Sequence, residues 1–380
     1  MDHRLTEEQK ELKEMFREFA LKHCKPIAAD VDDKERFPEE NIPKMAELGL
    51  FGIPYPEEYG GVGAGSLAYV MAVEELARVC ATTGVIMAAH TSLCTWPIYN
   101  FGTDEQKAKY LEDLCTGTKI GAFGLTEPGA GTDAALQKSF AEEKDDHYLL
   151  NGSKVFITNA KYAETYVIFA MTEKGVGRKG ITAFILEKGM PGFTFGAEEK
   201  KMGIRGSATF ELVFDNVKVP KENLLGKKGE GFKIAMATLD GGRISVAAQA
   251  VGIAQGAIDV TVEYVKQREQ FGQRISQFQN TQFELAAMQT KVDAARLLYY
   301  RAALAKDAGE KFGHMAAMAK LFASETASDV TRRCVQLYGG YGYSREYPIE
   351  RMMRDAKITE IYEGTSEVQK MVIAGWMGVN

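Results

Sequence analysis

The sequence predicts an α+β protein of three domains: a helical domain over 1–120, an antiparallel β-domain over 121–226 and a helical bundle over 227–380. Apolar residues recur at helical intervals in the first and last parts, whereas the middle part alternates with period two. The length of 380 residues also suits more than one domain, at roughly 150 residues each. Runs of helix, then strand, then helix are typical of segregated α+β architectures rather than of alternating βαβ units.

The N-terminal part carries a helix start signal. Thr6 and Gln9 have the spacing of a capping box, and the apolar residues within Leu12–Phe19 then fall on one helical face. Pro26 favours an end to this helix. The helical period returns over Val70–Ala77, so this part is predicted to be helical up to about residue 120.

The middle part is typical of strands. Asn151-Gly152 lies between two apolar runs and predicts a tight hairpin at that dipeptide. Tyr166–Met171 and Ile181–Leu186 predict buried strands, and Phe210–Val219 alternates apolar with polar residues. Consecutive strands joined by turns predict an antiparallel sheet or barrel.

The C-terminal part predicts long packed helices. Apolar residues keep the helical period over Phe232–Val265, Gln282–Lys306 and Met315–Leu337. Gly252 and Gly256 lie four residues apart in the first of these segments, where they would permit close approach of another helix. Together the segments predict a helical bundle.

Composition excludes several classes of protein. With 46 basic and 52 acidic residues the net charge is −6, so a nucleic-acid partner is not expected. No apolar run reaches the roughly 18 residues of a membrane helix, and Met1–Glu7 has no signal-peptide pattern, so the chain is expected in the cytoplasm without membrane insertion. Five scattered cysteines without a Cys-x-x-Cys pair predict buried free thiols and no metal site.

One glycine-rich segment invites a nucleotide-binding interpretation. Gly129–Ala134 has the letters of the Gly-x-Gly-x-x-Ala fingerprint. However, Pro128 precedes it and no crossover helix is predicted after it, which argues against a Rossmann site. The alternatives are a loop that offers backbone N–H groups to an anion beside the Thr126 and Thr132 hydroxyls, or a surface turn without a ligand.

An acidic residue near the C-terminus is a candidate general base. Glu363 stands beside Ile361 and Tyr362, and partial desolvation there would raise its pKa towards the range of a useful base. Alternatively, Glu363 supports the first turn of a terminal helix, where acids are common. The peptide alone leaves both interpretations open.

Five motifs taken together resemble the acyl-CoA dehydrogenase family over essentially the whole chain. Any one of them could arise by chance, whereas five in one order make the resemblance specific. In addition, Leu239–Ile244 is similar to the short-chain, butyryl-CoA dehydrogenase branch. The motifs are Gly124–Asp133, Phe156–Asn159, Arg268–Gly272, Gln336–Gly342 and Ile361–Thr365.

The resemblance implies FAD between the β-domain and a C-terminal four-helix domain, in an obligate oligomer that is usually a homotetramer built as a dimer of dimers. Phe156 stands where the family often has Trp, which puts the shielding of the flavin edge in question. Implied cofactor contacts within one subunit are Phe123, Leu125, Thr126, Gly131, Thr132, Phe156, Ile157 and Thr158, with Thr365 and Glu367 near the catalytic loop. Implied contacts to a neighbouring subunit's FAD are Arg268, Phe271 and Gln279, with Gln336, Leu337, Gly339 and Gly340 beside the adenosine diphosphate.

The resemblance also implies the chemistry. Glu363 matches the base that removes the pro-R α-proton of an acyl-CoA while the β-hydride passes to flavin N5, giving a trans-2-enoyl-CoA. Some relatives carry the base at the positions of Gly241-Gly242, which have no carboxylate here. Electrons would be exchanged with an electron-transferring flavoprotein. Implied substrate contacts are Thr132, Asp240, Arg243, Tyr362 and Gly364.

Three alternatives remain beside a butyryl-CoA dehydrogenase. The chain could reduce an enoyl-CoA, including an aryl thioester such as caffeyl-CoA. It could be an acyl-CoA oxidase that passes electrons to oxygen. It could also be a non-catalytic helical scaffold that keeps the fold, although Glu363 and the cofactor motifs argue against this.

Overall fold

The structure, a computed structural model, describes residues 5–379, so the expectation for Met1–Glu7 falls partly outside it. Within the described range, helices occupy the first and last parts of the chain and one large sheet lies between them, as predicted. The N-terminal helices are α1 Glu7–Phe19, α2 Ala28–Asp33, α3 Ile42–Glu47, α4 Gly65–Ala77, α5 Ala81–Ala88, α6 Trp96–Phe101 and α7 Asp104–Thr116. The C-terminal helices are α8 Gly231–Gln267, α9 Gln279–Asp307, α10 Gly313–Tyr338, α11 Ile349–Lys357 and α12 Ser366–Met377.

The central sheet has the strand order β6-β7-β3-β2-β4-β5-β8, with β1 paired to β4. Most neighbours are antiparallel, but β1 and β2 both pair with β4 in parallel, so a purely antiparallel sheet was wrong at those two pairs. The two strands pair with successive parts of the same edge of β4: β1 pairs with residues 165–168 and β2 pairs with Met171. The strands are β1 Gly121–Gly124, β2 Phe140–Glu143, β3 His147–Thr158, β4 Thr165–Met171, β5 Ile181–Glu187, β6 Phe193–Glu198, β7 Thr209–Pro220 and β8 Leu224–Leu225, and a separate hairpin is formed by β9 Glu269–Gln270 and β10 Gln273–Arg274.

The hairpin predicted at Asn151-Gly152 was wrong. Strand β3 runs straight through this dipeptide, because β2 and β7 pair with it from both sides. A register shift next to Gly152 marks a bulge, and Gly152 has a φ of 135°, where a Cβ atom would overlap Ser139. Asn151 instead accepts a hydrogen bond from the Asn216 N–H at 2.8 Å. Pairing on two sides therefore outweighs the local turn preference.

Local signals in the helices were confirmed. Thr6 caps α1, and its side chain and that of Gln9 form the reciprocal capping box. In α8, a Cβ atom at Gly252 would overlap the Glu74 carbonyl oxygen, and one at Gly256 would overlap that of Arg78. The two glycines thus let α8 lie directly against α4, which joins the N-terminal helices to the C-terminal bundle.

Helix α8 is the one described helix that is long and apolar enough to cross a membrane by length and composition. Its most apolar 18-residue window has a mean hydropathy of 1.2, but 89% of that window is buried inside the protein. The surrounding elements include α4, α9, α10 and α11. Burial of this kind is what the core helix of a bundle shows.

Candidate active site

The loop between α11 and α12 has an unusual backbone. Glu363 has a φ of 52° and Gly364 a φ of 93°, so two consecutive residues lie in the left-handed region. A non-glycine residue there costs about 1–3 kcal/mol and persists only when its surroundings hold it. Thr365 then caps α12 by accepting the Val368 N–H at 3.4 Å. The acid in the first turn of α12 is Glu367, so Glu363 does not play that supporting role.

The Glu363 side chain points at α8. A Cβ atom on Gly242 would overlap Glu363 Oε2 and would lie 2.9 Å from Leu93 Cδ2. The carboxylate therefore occupies the space that the missing side chain leaves free. Among residues 5–379, Glu363 Oε2 is shielded from solvent and has no hydrogen-bond partner. Such an oxygen is free to accept a proton from a ligand.

Burial makes Glu363 a stronger base than an exposed glutamate. Burial raises its pKa from 4.5 to about 7, and the positive charges of Lys320 and Arg243 oppose that rise. A pKa near neutrality is the range in which a carboxylate serves best as a general base at physiological pH. The site thus combines a raised proton affinity with a carboxylate that is still ionised above about pH 7.

An ion pair between buried Arg243 and half-buried Asp240 lies on α8. Arg243 is 5% exposed, and its Nη1 donates to Asp240 Oδ1 at 2.5 Å. Burial raises the pKa of Asp240, while the guanidinium opposes the rise. The Arg243 Nε atom is buried and has no hydrogen-bond partner in the described part of the chain. One N–H of Arg243 is therefore left for a group that the protein does not supply.

Neighbouring side chains fix the loop around Glu363. The Tyr362 hydroxyl donates to the Gln249 side chain of α8. Gln369 Nε2, in the first turns of α12, donates to the Gly364 carbonyl oxygen at 2.8 Å. Glu363 is thus held by contacts of the residues on both sides of it, a form of preorganisation that a catalytic group needs.

A second group of predicted residues meets at the end of β1 and β3. Val155 N donates to the Thr126 carbonyl oxygen at 2.9 Å, which holds the segment after β1 against β3. Phe156 has a φ of 61° beside a register shift of β3, and its side chain is 64% exposed. The strained backbone thus holds the Phe156 ring outward, where a ligand could contact it. Nearby predicted contacts on the same strands and their loop are Phe123, Leu125, Ile157 and Thr158.

The glycine-rich segment is a turn rather than a nucleotide fingerprint. Glu127 and Ala130 exchange backbone hydrogen bonds of 3.2 and 3.0 Å, and the chain continues into a short 3₁₀ turn at Ala134–Leu136 instead of a crossover helix. Gly131 and Thr132 are exposed in this turn. Their backbone and hydroxyl groups remain available to a ligand.

A buried ion pair orders this turn. Lys154 is 0% exposed, and its Nζ donates to Glu127 Oε1 at 2.7 Å and to the Leu125 carbonyl oxygen at 3.2 Å. Glu127 also accepts the backbone N–H of Ser139 at 3.0 Å. The pair therefore ties the turn to both β3 and the start of β2.

Replacing Lys154 with Met is expected to lower the free energy of unfolding by about 3–5 kcal/mol, because it leaves the Glu127 carboxylate buried without its cation. Urea unfolding followed by circular dichroism measures the loss. The double variant Lys154→Met/Glu127→Gln is the control and should lose less stability than Lys154→Met alone. Equal stability of the wild type and Lys154→Met would contradict a structural role for the pair.

A third group of predicted residues lines a separate cavity of about 610 Å³ in the C-terminal domain. The Arg268 guanidinium lies 5.3 Å from the centre of the Tyr341 ring. Phe271, in the β9–β10 hairpin, is 94% exposed with a φ of 53°, and Gln279 is exposed at the start of α9. None of the residues around Glu363 lines this cavity. Its predicted lining residues are Arg268, Gln336, Leu337, Gly339 and Gly340.

Several site residues were missed at the level of sequence. Lys320, Gln249 and Gln369 reach the loop from helices α10, α8 and α12. The signal for Lys320 was a cation with only apolar residues on either side in Met315–Phe322. Gln249 and Gln369 gave no signal, because a glutamine in a helix is ordinary.

A helical domain, a sheet and a helical bundle surround the Glu363 carboxylate, whose Oε2 is shielded from solvent and whose pKa is raised to about 7. A carboxylate with such a pKa is typical of an enzyme active site. Family models for the N-terminal, middle and C-terminal domains of acyl-CoA dehydrogenases match residues 6–118, 122–217 and 229–378. The chain belongs to the acyl-CoA dehydrogenase family, and it is an enzyme of this FAD-dependent kind.

Individual relatives are similar over their full length. The short-chain specific acyl-CoA dehydrogenase of Clostridium acetobutylicum is 57% identical, over 99% of both chains. The acryloyl-CoA reductase (NADH) of Anaerotignum propionicum is 52% identical, over 98% of this chain and 95% of that one.

Solved structures agree with this placement. Butyryl-CoA dehydrogenase from Megasphaera elsdenii has a TM-score of 0.98 and 53% identity, over 99% of this chain and 100% of that one. A chain described under "Electron transferring flavoprotein of Acidaminococcus fermentans: Towards a mechanism of flavin-based electron bifurcation" has a TM-score of 0.98 and 57% identity, over 99% of both chains.

Proposed function

We propose that this chain interconverts a short-chain acyl-CoA and its trans-2-enoyl-CoA, with FAD as cofactor and Glu363 as the base for the α-proton. The observation that carries the proposal is the Glu363 carboxylate. It lies against Gly242, has a pKa of about 7, and its Oε2 has no hydrogen-bond partner among residues 5–379. The short-chain specific relative and the butyryl-CoA dehydrogenase structure support the acyl length.

The residues present fit a flavin. Phe156 offers an exposed aromatic face, and the turn at Gly131 and Thr132 offers unpaired polar groups. Beside the catalytic loop, Ser366 Oγ and Gln369 Oε1 are buried without hydrogen-bond partners in the described range, so acceptors and donors remain for a polar ligand. When bound, FAD supplies the acceptor or donor of the β-hydride. We assign the flavin contacts to Phe123, Leu125, Thr126, Gly131, Thr132, Phe156, Ile157, Thr158, Thr365 and Glu367.

In dehydrogenation, Glu363 Oε2 takes the α-proton, and in reduction the same oxygen returns it. The α-proton of a thioester is a poor acid, so the developing negative charge on the carbonyl oxygen needs a donor. We assign that role to the Glu363 backbone N–H, whose direction is set by the left-handed backbone at this residue. Glu363 is half-buried, and the shielding of its Oε2 from solvent keeps water away from that oxygen and strengthens these interactions.

Substrate contacts are proposed on both sides of the base. Asp240 and Arg243 lie on α8 next to Gly242, and the unpartnered Arg243 Nε is suited to an oxygen of the coenzyme A portion. Tyr362 and Gly364 flank Glu363 directly, and Thr132 comes from the turn of the β-domain. Tyr362 is itself fixed by Gln249, so its ring would present a rigid wall to the acyl group.

We further propose an oligomer with a shared cofactor site, in the cytoplasm, that exchanges electrons with an electron-transferring flavoprotein. The exposed Phe271, the exposed Gln279 and the cavity at Arg268 support contacts to the FAD of a neighbouring subunit, because this cavity is lined by other residues than those around Glu363. Gln336, Leu337, Gly339 and Gly340 line the same cavity as Arg268 and are assigned to the adenosine diphosphate portion. In a homotetramer built as a dimer of dimers, the cavity of one subunit would lie beside the FAD of its neighbour.

The activity can be tested with steady-state assays on a panel of coenzyme A thioesters, with the electron-transferring flavoprotein supplied. Butyryl-CoA is expected to give the highest kcat/KM. Faster turnover of crotonyl-CoA or an aryl-enoyl thioester with a reduced flavoprotein would favour a reductase. Hydrogen peroxide formed in air at the rate of substrate loss would favour an oxidase, and a colourless purified protein would contradict the proposal.

Replacing Arg268 with Ala is expected to lower the ratio of flavin to protein to less than half and to shift the protein to smaller species. The guanidinium lies over the Tyr341 ring and is the cation among the residues that line the cavity in the described part of the chain, so its loss removes a contact to an anionic ligand. Absorbance at the flavin band after gel filtration measures both effects. Arg178→Ala, on an exposed turn of the β-domain, is the control. Wild-type flavin content and size in Arg268→Ala would contradict the shared site.

A further inference from the structure

Lys320 is a buried cation that the mechanism above does not use. It lies in the interior of α10 and is 0% exposed. Its Nζ donates to the Gly364 carbonyl oxygen at 2.6 Å, and Gln369 Nε2 donates to the same oxygen at 2.8 Å. Two donors, one charged and one neutral, therefore converge on the carbonyl oxygen of Gly364, the residue directly after Glu363. Burial of an ammonium group costs free energy unless charged or hydrogen-bonding partners compensate for the lost hydration.

The first consequence is geometric. Glu363 and Gly364 both have positive φ, and the strain at Glu363 has to be held by surrounding contacts. Fixing the Gly364 carbonyl oxygen fixes the plane of the following peptide and limits rotation at Gly364. Glu363 then keeps the conformation that places its carboxylate against Gly242.

The second consequence is electrostatic. Among residues 5–379, Lys320 and Glu363 make no ion pair within 4 Å, yet the Lys320 charge acts on the carboxylate. Arg243 of α8 is the other cation that faces Glu363, and Glu360 and Glu367 are the further acids that face Lys320. The ammonium thus favours the ionised carboxylate without occupying the oxygen that must accept a proton. A direct ion pair with Lys320 would lower the proton affinity of the Glu363 carboxylate further, and it would also occupy the oxygen that accepts the proton.

We propose that Lys320 is a positioning residue for this site: through the Gly364 carbonyl it holds Glu363 in its left-handed conformation, and through its charge it keeps the carboxylate ionised without bonding to it. This inference rests on the proposed function of Glu363. Removal of the cation raises the pKa of Glu363, and because the base acts as a carboxylate, the acidic limb of the activity moves to higher pH.

The test compares Lys320→Met with Lys320→Arg and Gln369→Leu in the FAD-loaded protein. Lys320→Met is expected to lower kcat about 10- to 100-fold and to move the acidic limb of kcat up by about one pH unit. Lys320→Arg, which keeps the charge, should return the limb close to its wild-type position. Gln369→Leu removes the neutral donor and should lower kcat without moving the limb.

A second measurement does not depend on turnover. The carboxyl band of Glu363 in infrared difference spectra, identified by its loss in Glu363→Gln, should titrate about one pH unit higher in Lys320→Met than in the wild type. A wild-type titration in Lys320→Met, or an equal shift in Gln369→Leu, would overturn the inference. Lys320→Gln serves the same comparison if Lys320→Met does not fold. Turnover retained in Glu363→Gln would instead overturn the proposed function itself.

Discussion

Replacing Glu363 with Gln is expected to lower the rate of flavin reduction by butyryl-CoA by at least about 10³-fold, while the protein stays folded and retains FAD. A positioned general base contributes about 10²–10⁴-fold. The atom nearest to a Cβ built on Gly242 is Glu363 Oε2, so this carboxylate fills the space beside the glycine. Rapid mixing with butyryl-CoA, followed by the absorbance of the oxidised flavin, measures the effect. Glu325→Gln, on the exposed face of α10, is the control and should bleach at the wild-type rate.

The same substitution should raise stability, and the gain should depend on pH. Burial raises the pKa of Glu363 from 4.5 to about 7, so the folded state is penalised when this group ionises. The penalty develops as the pH rises above about 4.5 and is complete above about 7. At 1.36 kcal/mol per pKa unit, Glu363→Gln gains up to about 3 kcal/mol at pH 8 and little at pH 5. Normal bleaching in this variant, or a stability gain that is independent of pH, would contradict the assignment.

Replacing Gly242 with Ala is expected to lower kcat at least about 100-fold without unfolding the protein. The new Cβ atom would overlap Glu363 Oε2 and would lie 2.9 Å from Leu93 Cδ2, so the carboxylate has to move. A displacement of about 1 Å at a catalytic group can cost about 10²-fold. Alanine also favours the interior of α8 by up to about 1 kcal/mol over glycine, so helix formation does not oppose the change.

Gly241→Ala provides a matched control. It makes the same chemical change one residue earlier in α8, with the same gain in helix propensity. There the new Cβ atom would lie 3.3 Å from Lys306 Nζ, the far end of a flexible side chain that can move aside. Steady-state assays on both variants should show a large loss in Gly242→Ala only. Equal losses would show that the effect comes from α8 in general and not from space for the base.

The fold was largely predictable because periodicity is local. The helix capped by Thr6, the alternation around β7 and the long apolar period of α8 all depend on neighbours within a few residues. The prediction of a hairpin at Asn151-Gly152 failed because it considered local sequence alone. Its turn preference is local, whereas the pairing of β3 with β2 and β7 involves residues up to about 70 positions away. When a local turn preference and the pairing of distant strands disagree, the strand pairing determines the backbone conformation.

The site was predictable only in part. Glu363 could be singled out from its motif. However, the space for its carboxylate exists because residue 242 is a glycine, and Lys320 helps to hold its loop by donating to the Gly364 carbonyl oxygen. Gly242 and Lys320 are separated from Glu363 by 121 and 43 positions. Nothing in the local sequence of α8 or α10 encodes which helix will face the loop. The contact depends on how the bundle packs, and packing is a property of the whole chain.

Strained backbone has a consequence for engineering this protein. Seven described non-glycine residues have positive φ, and three of them, Phe156, Phe271 and Glu363, are residues to which catalytic or cofactor roles are proposed. Glycine at such a position relieves about 1 kcal/mol of backbone cost. A directed-evolution campaign that selects for heat resistance alone would therefore be drawn to these sites first. It would replace side chains with proposed roles by glycine, and the selected variants would be more heat-resistant but inactive.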